Sequence, residues 1–357
     1  MEENKQHKTA LPETEPIPSA QAPEALLDIR GLRVEYHTDE DVVYAVNGLD
    51  LTIGKGESLG LVGETGAGKT TTALSVLRLI ADPPGKIVGG EIWFEGEDML
   101  QAKPARLREI RGSKISVIFQ DPMTSLNPVY SVGDQIAEVI HQHEKCSKEE
   151  GRRKAGDMLE MVGIPRARYD EYPHQFSGGM KQRVVIAMSI ACSPELILAD
   201  EPTTALDVTI QAQVLELMNE LKEKLRTSLL LITHDLGVVA QVCDRVAIMY
   251  AGEIVESGTI AEVFDHPHHP YTIGLFGSIP SLDETAEKLK PIQGQMPDPT
   301  ELPEGCAFAP RCPYATGACR TRKPEMTGVG GTQMVRCLAH QGVFESPKLM
   351  EEVRHGR

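Results

Sequence analysis

A glycine-rich stretch with one lysine carries the clearest chemistry in this 357-residue sequence. Residues 63–70 fit the pattern G-x4-G-K-[ST] and lie between an apolar strand and a helix, the context that this phosphate-binding motif needs. Backbone N–H groups of such a loop wrap phosphate oxygens, Lys69 reaches the β- and γ-phosphates, and Thr70 holds Mg²⁺. The alternative interpretation is a Gly-rich turn with an incidental lysine, and the strand and helix that flank the motif argue against it. The predicted phosphate-site residues are Gly63, Glu64, Thr65, Gly66, Ala67, Gly68, Lys69, Thr70 and Thr71.

Two carboxylates end a hydrophobic run further along the chain. Residues 196–199 predict a buried strand, and Asp200 and Glu201 follow it directly. A magnesium ion needs oxygen ligands from elsewhere in the fold, so Asp200 is predicted to hold Mg²⁺, directly or through water. Glu201 is then placed to polarise the attacking water as general base. A charged strand-to-loop turn is the plainer interpretation, and the presence of the phosphate motif argues against it.

The segments around these motifs predict a mixed α/β fold. Strand-like runs open the domain at 42–53, 58–62, 87–94 and 114–119. A helical pattern then covers 132–162, where Ser147 and Glu150 form a capping box. From Gly178 onward helices and strands alternate, which favours a parallel sheet with helices on its faces. Beyond Phe264 the chain becomes rich in Pro, Gly and His and then in Cys, which indicates a separate extension.

Composition restricts the class of partner and the compartment. The net charge of −16 argues against a nucleic-acid backbone as main partner, because neutralising phosphates needs clustered Lys and Arg. No apolar run approaches the roughly 20 residues that cross a bilayer, and the first residues lack the apolar core of a signal peptide. We therefore expect the chain to stay in the cytoplasm, where clustered cysteines indicate metal or redox chemistry more than disulfides.

The residues between the two motifs discriminate among P-loop enzymes, which include small GTPases, kinase-like enzymes and helicases. Ser177-Gly178-Gly179-Met180-Lys181-Gln182-Arg183 opens a helix upstream of the acidic strand and resembles the signature sequence of ABC-type ATPases. The usual leading leucine is Phe176 here and the usual glutamine is Met180. Such a turn is a second phosphate-binding helix start. The resemblance implies that Ser177, Gly178 and Gly179 of one protomer contact the ATP held by the phosphate loop of another, in a head-to-tail dimer.

Further residues match landmarks of the same family in order. Tyr36 matches the aromatic residue that stacks on adenine. Gln120 matches the glutamine that senses Mg²⁺ and water, so the resemblance places it at the Mg²⁺ site with Thr70 and Asp200. Asp207 matches the loop exchanged across the dimer, and His234 the switch histidine that contacts the γ-phosphate. Each alone has an ordinary structural explanation; their joint order supports the family. The resemblance covers about residues 26–259 and assigns catalytic roles to Glu201, His234 and Gln120.

The resemblance implies a P-loop NTPase core of ABC type, with an antiparallel β subdomain, a helical subdomain and a Cys-bearing C-terminal extension. Composition and the resemblance together divide the chain into a disordered, polar and proline-bearing tail over 1–24, the ATP-binding domain over 25–265 with its helical subdomain at about 120–176, the extension over 266–345 and a tail over 346–357. Helices of the subdomain are expected to carry the docking surface for a membrane subunit.

Segments 265–272 and 305–313 resemble the extension of ATPase subunits of oligopeptide and dipeptide importers, and residues 118–128 also look like this branch. The implied partners are two transmembrane permease subunits, a second ATPase subunit forming a homodimer or heterodimer, and indirectly an extracytoplasmic solute-binding protein. The implied location is the cytoplasmic face of the cell membrane. Nickel importers share the branch and remain an alternative. A soluble ABC-type ATPase acting on ribosomes or DNA is opposed by the single phosphate motif and by the lack of a long coiled coil.

Four of the seven cysteines form a C-x5-C-x6-C-x17-C array, composed of Cys306, Cys312, Cys319 and Cys337. This spacing is looser than the paired C-x2-C of structural zinc sites. Four thiolates suit a [4Fe-4S] cluster, and members of the branch carry one at this pattern, so the cluster is predicted with ATP and Mg²⁺ as a cofactor. Zinc and free thiols stay open as alternatives.

Overall fold

The computed structural model describes residues 25–120, 122–204, 206–278 and 291–355. The predicted tail at 1–24 lies outside these residues. The strands are β1 (Ala25–His37), β2 (Val42–Gly54), β3 (Ser58–Val62), β4 (Gly85–Phe94), β5 (Glu97–Asp98), β6 (Ile115–Ile118), β7 (Leu196–Asp200), β8 (Ser228–Thr233), β9 (Arg245–Tyr250), β10 (Glu253–Thr259), β11 (Thr327–Gly330) and β12 (Gln333–Val335). The helices are α1 (Lys69–Val76), α2 (Pro104–Ile110), α3 (Pro122–Ser125), α4 (Val132–His143), α5 (Lys148–Met161), α6 (Gly178–Ile190), α7 (Val208–Leu225), α8 (Leu236–Val242), α9 (Ile260–Asp265), α10 (Pro270–Phe276), α11 (Gly317–Thr321) and α12 (Pro347–His355).

An eight-stranded sheet forms the centre of the fold, in the order β11-β12-β10-β9-β3-β8-β7-β6. The parallel part of this sheet has the order β9-β3-β8-β7-β6, and the alternation of helices and strands in the sequence predicted such parallel pairing. In β8, Leu229 and Leu231 belong to one core cluster and Leu230 and Ile232 to the other, because successive side chains of a strand point to opposite faces. The sheet is thus buried on both faces, which is why its strands are continuous apolar runs.

The remaining strands form a separate antiparallel sheet in the order β2-β1-β4-β5. The expectation of an antiparallel β subdomain is confirmed, and so are the four opening strand runs to within three residues. Its apolar residues share one core cluster with α1 and with one face of the large sheet. The β subdomain therefore packs directly against the helix that follows the phosphate loop.

Helices α3 to α5, followed by two short 3-10 turns, make up the predicted helical subdomain. The helical pattern breaks before Ser147, whose Oγ accepts a hydrogen bond from Glu150 N at 3.2 Å and starts α5. Arg183 of α6 donates to Val162 O at 2.9 Å, just past the end of α5. This bond ties the subdomain to the helix that carries the predicted signature turn.

The C-terminal extension joins the main sheet, although the sequence suggested a separate unit. Strand β12 pairs with β10, and the buried carboxylate of Glu256 in β10 accepts from His268 N at 2.7 Å, His269 N at 2.9 Å and Gln333 Nε2 at 2.8 Å. Burial raises the pKa of Glu256 to about 7, although these hydrogen bonds favour the charged carboxylate and act to lower it. Polar contacts far apart in sequence thus anchor the extension.

The last segment also differs from expectation. The tail predicted at 346–357 contains α12, and Leu349 and Val353 are buried against Ala339. Its final residues, 356–357, lie outside the described part of the chain. No helix of the described residues combines the length and apolarity that crossing a bilayer requires.

Candidate nucleotide site

The phosphate loop runs between β3 and α1 at the carboxyl edge of the parallel strands. Gly66 and Gly68 have φ angles of 85° and 101°, in the left-handed region that favours glycine. A Cβ on Gly68 would lie 2.3 Å from Ala45 O, so the backbone of β2 leaves no space for a side chain there. These constraints explain the glycines in the motif and give a loop whose N–H groups lead into a helix N-terminus, a favourable arrangement for anions.

Lys69 is the first residue of α1 and folds back over the loop. Its buried Nζ donates to Gly63 O at 2.7 Å and to Glu64 O at 3.0 Å. Burial lowers the pKa of Lys69, while the nearby carboxylates of Glu201 and Asp200 act to raise it. The ammonium group thus has neutral carbonyl partners, and the oxygens of a triphosphate would be stronger ones.

Asp200 and Thr70 provide adjacent oxygen atoms at the end of β7. Asp200 is 7% exposed, and burial raises its pKa, opposed by a hydrogen bond with Thr70. A hydroxyl and a carboxylate from two different elements are the donor types that Mg²⁺ takes in phosphate sites. The two residues therefore fit the predicted Mg²⁺ role.

Glu201 lies next to Asp200 and receives three side-chain hydrogen bonds. The donors are Gln120 Nε2 at 3.0 Å, Thr204 Oγ1 at 2.8 Å and the His234 ring at 3.2 Å from Nδ1. Burial acts to raise the pKa of Glu201, but the bonds from Thr204 and His234 outweigh it and hold the pKa below its usual value. The carboxylate is therefore ionised and able to accept a proton. The structure thus brings Gln120, Glu201 and His234 together.

Sequence reasoning missed Thr204 as a member of this cluster. The sequence signal that could have found it is its position three residues after Glu201. In the structure these residues form a turn, in which Thr204 N donates to Glu201 O at 3.1 Å. Glu201 itself has a φ of 47°, which is unusual for a residue with a side chain. Its backbone N–H donates to Ile232 O at 2.8 Å, so the neighbouring strand β8 fixes this conformation.

Tyr36 lies beside the start of α1. Its hydroxyl is 3.3 Å from Thr71 Oγ1, and a Cβ on Gly85 would lie 2.9 Å from its ring. The ring is half-buried on the β subdomain, and the residue that its hydroxyl contacts follows Lys69 by two positions. This position is compatible with the predicted stacking on adenine.

Ser177 and Asp207 lie at helix starts outside this group. Ser177 Oγ caps α6 by accepting from Met180 N at 3.4 Å, and Asp207 Oδ1 caps α7 by accepting from Ile210 N at 3.0 Å. A Cβ on Gly179 would be 2.3 Å from Ile210 Cγ2, so the second glycine of the turn is needed for close helix packing. Over the described chain, no hydrogen bond joins Ser177 or Asp207 to the phosphate loop.

The four clustered cysteines line one small cavity in the extension, together with Phe308, Tyr314 and Leu349. Burial raises the pKa of the Cys306 thiol to about 11 and that of Cys312 to about 12. Backbone N–H groups oppose the shift by hydrogen bonding to these sulfurs. Within the described ranges, no three or more His, Cys, Asp or Glu side chains lie at a spacing that could hold a metal ion.

Comparison with known proteins places the chain among nucleotide-binding transport proteins. A family described as ABC transporter matches residues 46–204, and the C-terminal region of oligopeptide/dipeptide transporters matches residues 255–319. Two dimeric structures of the ATP-binding cassette MJ0796 superpose with a TM-score of 0.59 at 28% identity, covering 66% of this chain and 98% of the cassette. The fold and the site therefore define an ABC-type ATPase.

The similarity to curated proteins extends over most of the chain. It is 51% identical to the oligopeptide transport ATP-binding protein OppD of Bacillus subtilis, covering 87% of this chain and 88% of that protein. AppD and the dipeptide transport protein DppD of the same organism are each 48% identical over 88% of this chain, with 97% and 94% of their own lengths covered. The chain belongs to the oligopeptide/dipeptide branch of the ABC transporter ATP-binding proteins.

Proposed function

We propose that the chain is the ATP-hydrolysing subunit of an importer for oligopeptides or dipeptides. The observation that carries the proposal is the attachment of the extension, matched by the oligopeptide/dipeptide C-terminal family, to the sheet that holds the nucleotide site. Relatives that match over most of the chain are named for oligopeptide or dipeptide transport. ATP hydrolysis at the phosphate loop would supply the work for moving the cargo.

The hydrolysis step follows from the arrangement of the side chains. Loop N–H groups and Lys69 would bind the β- and γ-phosphates, and Thr70 and Asp200 would hold Mg²⁺, which when bound neutralises phosphate charge. Glu201 would take a proton from water as the water oxygen bonds to the γ-phosphorus and the bond from phosphorus to the ADP oxygen breaks. Gln120 and His234 contact Glu201 directly and would orient the water.

The nucleotide site would be completed by a second ATPase subunit. Ser177 and Gly178 are exposed at the start of α6, so they can face the ATP of a partner, whereas Gly179 is buried against Ile210 and lets the two helices pack closely. Asp207 starts the neighbouring helix α7 and is also exposed, as a contact between subunits requires. Binding of two ATP molecules would close this dimer and hydrolysis would release it.

The helical subdomain would dock onto a permease subunit at the cytoplasmic face of the membrane, in a complex that contains two permease subunits. Large apolar side chains are exposed in and beside it: Phe119 is 49%, Val129 72%, Tyr130 53% and Tyr172 42% exposed. Exposed aromatic side chains of this kind mark interaction surfaces. Dimer closure would thus be transmitted through these helices to the permease, while an extracytoplasmic binding protein selects the cargo.

Affinity purification from native membranes tests this function. The chain is expected to recover two permease proteins and an ATPase partner, and the complex is expected to hydrolyse ATP faster when a peptide-loaded binding protein is added. A variant with Val129→Asp and Tyr130→Asp should lose the permease, because charge at the docking surface is unfavourable. The matched control is Val88→Asp, an exposed valine on the β subdomain. Recovery with ribosomes or DNA, or stimulation by a nickel-loaded binding protein only, contradicts the proposal.

The cysteine cavity would hold a [4Fe-4S] cluster. Four thiols line it, although among the described residues no three of them lie at the spacing that a single metal ion takes. Backbone N–H groups of Phe308 and Ala309 bond to the Cys306 sulfur and favour the thiolate that a cluster needs, against the burial that raises the pKa of this thiol. Anaerobically purified protein is expected to contain about four iron and four sulfide ions per chain. Cys312→Ser should remove most of the iron, whereas Cys146→Ser, in the helical subdomain, should not. Bound zinc without iron, or metal-free protein, would overturn the assignment.

A further inference from the structure

An arginine of the C-terminal extension contacts the phosphate loop. Arg311 donates from one guanidinium nitrogen to both carboxylate oxygens of Glu64, at 3.0 Å each. Its side chain is only 6% exposed, and its Nε donates to Gln293 O at 3.2 Å. The hydroxyl of Tyr250, at the end of β9, lies 3.4 Å from the same guanidinium nitrogen. The guanidinium is therefore largely withdrawn from water and held on several sides, whereas the Glu64 side chain keeps 32% of its exposure.

Two other residues from beyond the ATPase core contact the same loop. The hydroxyl of Tyr271 accepts a hydrogen bond from Glu64 N at 3.1 Å. Met296 lies over the tip of the loop, because a Cβ on Gly66 would be 3.2 Å from its terminal methyl carbon. Glu64 is thus fixed both at its backbone and at its carboxylate by the region C-terminal to α9.

The charge on Glu64 makes this contact relevant to nucleotide binding. A carboxylate in a loop that receives a triphosphate repels the ligand, and Glu64 is close enough to influence the Lys69 ammonium. Arg311 neutralises the carboxylate by a charge-assisted pair. The carbonyl of Glu64 is also one of the two acceptors of Lys69 Nζ, so the position of Glu64 affects that of the lysine.

We propose that Arg311 is a positioning residue for the phosphate loop, which neutralises Glu64 and makes ATP affinity depend on the C-terminal extension. The proposal rests on the proposed role of the loop in binding ATP. Arg311 acts through Glu64 and does not itself contact the nucleotide. Its loss is expected to weaken ATP binding without slowing the chemical step, because Gln120, Glu201 and His234 lie on other elements.

The test measures MgATP binding by titration calorimetry to the full-length chain in a Glu201→Gln background. Arg311→Met keeps the apolar stem and is expected to weaken binding about tenfold, the loss of one charge-assisted pair. Arg311→Lys should lie between wild type and Arg311→Met. Adding Glu64→Gln to Arg311→Met should restore affinity to within about threefold of wild type, because the uncompensated charge is gone. With native Glu201, the Arg311→Met substitution should raise KM for ATP and leave kcat unchanged.

The control is Arg336→Met, which alters another extension arginine whose Nε donates to Ile254 O at 2.9 Å, away from the loop. It should leave the MgATP dissociation constant unchanged. Normal affinity in both Arg311→Met and Arg311→Lys, or no rescue by Glu64→Gln, would show that Arg311 only supports the fold. Lys69→Ala separates the two hypotheses. If it binds MgATP normally, the loop assignment fails, whereas weak binding by Lys69→Ala with normal binding by the Arg311 variants refutes only the positioning role.

Discussion

Replacing Glu201 by glutamine is expected to reduce ATP turnover by roughly 10²-fold or more while leaving MgATP affinity intact. The amide keeps the size of the side chain, and its oxygen can still accept a bond from Thr204 or His234. It cannot take a proton from water, which is the role that its ionised carboxylate is placed to perform. Phosphate release in single-turnover experiments measures the chemical step, and calorimetry measures binding separately.

Glu195→Gln is the matched control for this substitution. Glu195 immediately precedes β7, at the opposite end of the strand from Glu201, and pairs with Lys114 at 3.2 Å on the surface. Its loss should change turnover by less than about twofold, since exposed ion pairs contribute little. Near-normal hydrolysis in Glu201→Gln would reassign the general base, and Asp200 would be the next carboxylate to examine.

The same variant tests the proposed dimer. With MgATP and without hydrolysis, Glu201→Gln is expected to sediment as a dimer, because the closed state cannot be released. Ser177→Arg in that background should remain monomeric, since a long side chain would occupy the helix start that faces the partner's ATP. With native Glu201, a monomer that hydrolyses ATP at the full rate, with or without Ser177→Arg, contradicts the two-subunit site.

Local sequence was sufficient to predict the motifs around the phosphate site. The residues of the loop are adjacent in the chain, and glycine is required at Gly68 by backbone geometry that any Cβ would violate. The strands β3 and β7 were equally accessible, because both are continuous apolar runs followed by polar residues. The roles of Lys69, Thr70, Asp200 and Glu201 follow from the motifs themselves, and those of Gln120 and His234 from resemblance. The structure adds that Gln120 and His234 converge on Glu201.

Contacts between distant parts of the chain were not predictable in this way. Arg311 and Glu64 are separated by 247 positions, and neither residue type has a spacing that signals a partner. The attachment of the extension depends on Glu256, a buried carboxylate that no periodic pattern marks as buried. Proline, glycine and cysteine content suggested a separate unit, but Tyr271 and Phe308 pack with Tyr250 into the main core. Composition describes a segment's local tendencies and not the surface it packs against.

Lys69→Ala is expected to weaken MgATP binding by about 10²-fold and to abolish measurable turnover at moderate ATP concentration. The ammonium would make charge-assisted hydrogen bonds to two phosphate groups, and about 3 kcal/mol for such contacts corresponds to this factor. Calorimetry on the full-length chain measures the change directly. Lys222→Ala is the control, because Lys222 Nζ donates to Ser58 Oγ and to Val242 O, at 3.1 Å each, at the opposite end of β3 from the loop. That variant should lose stability and keep its affinity. Unchanged affinity in Lys69→Ala would contradict the assignment of this loop as the phosphate site, because the lysine would then bond only to the loop carbonyls that it contacts in this structure.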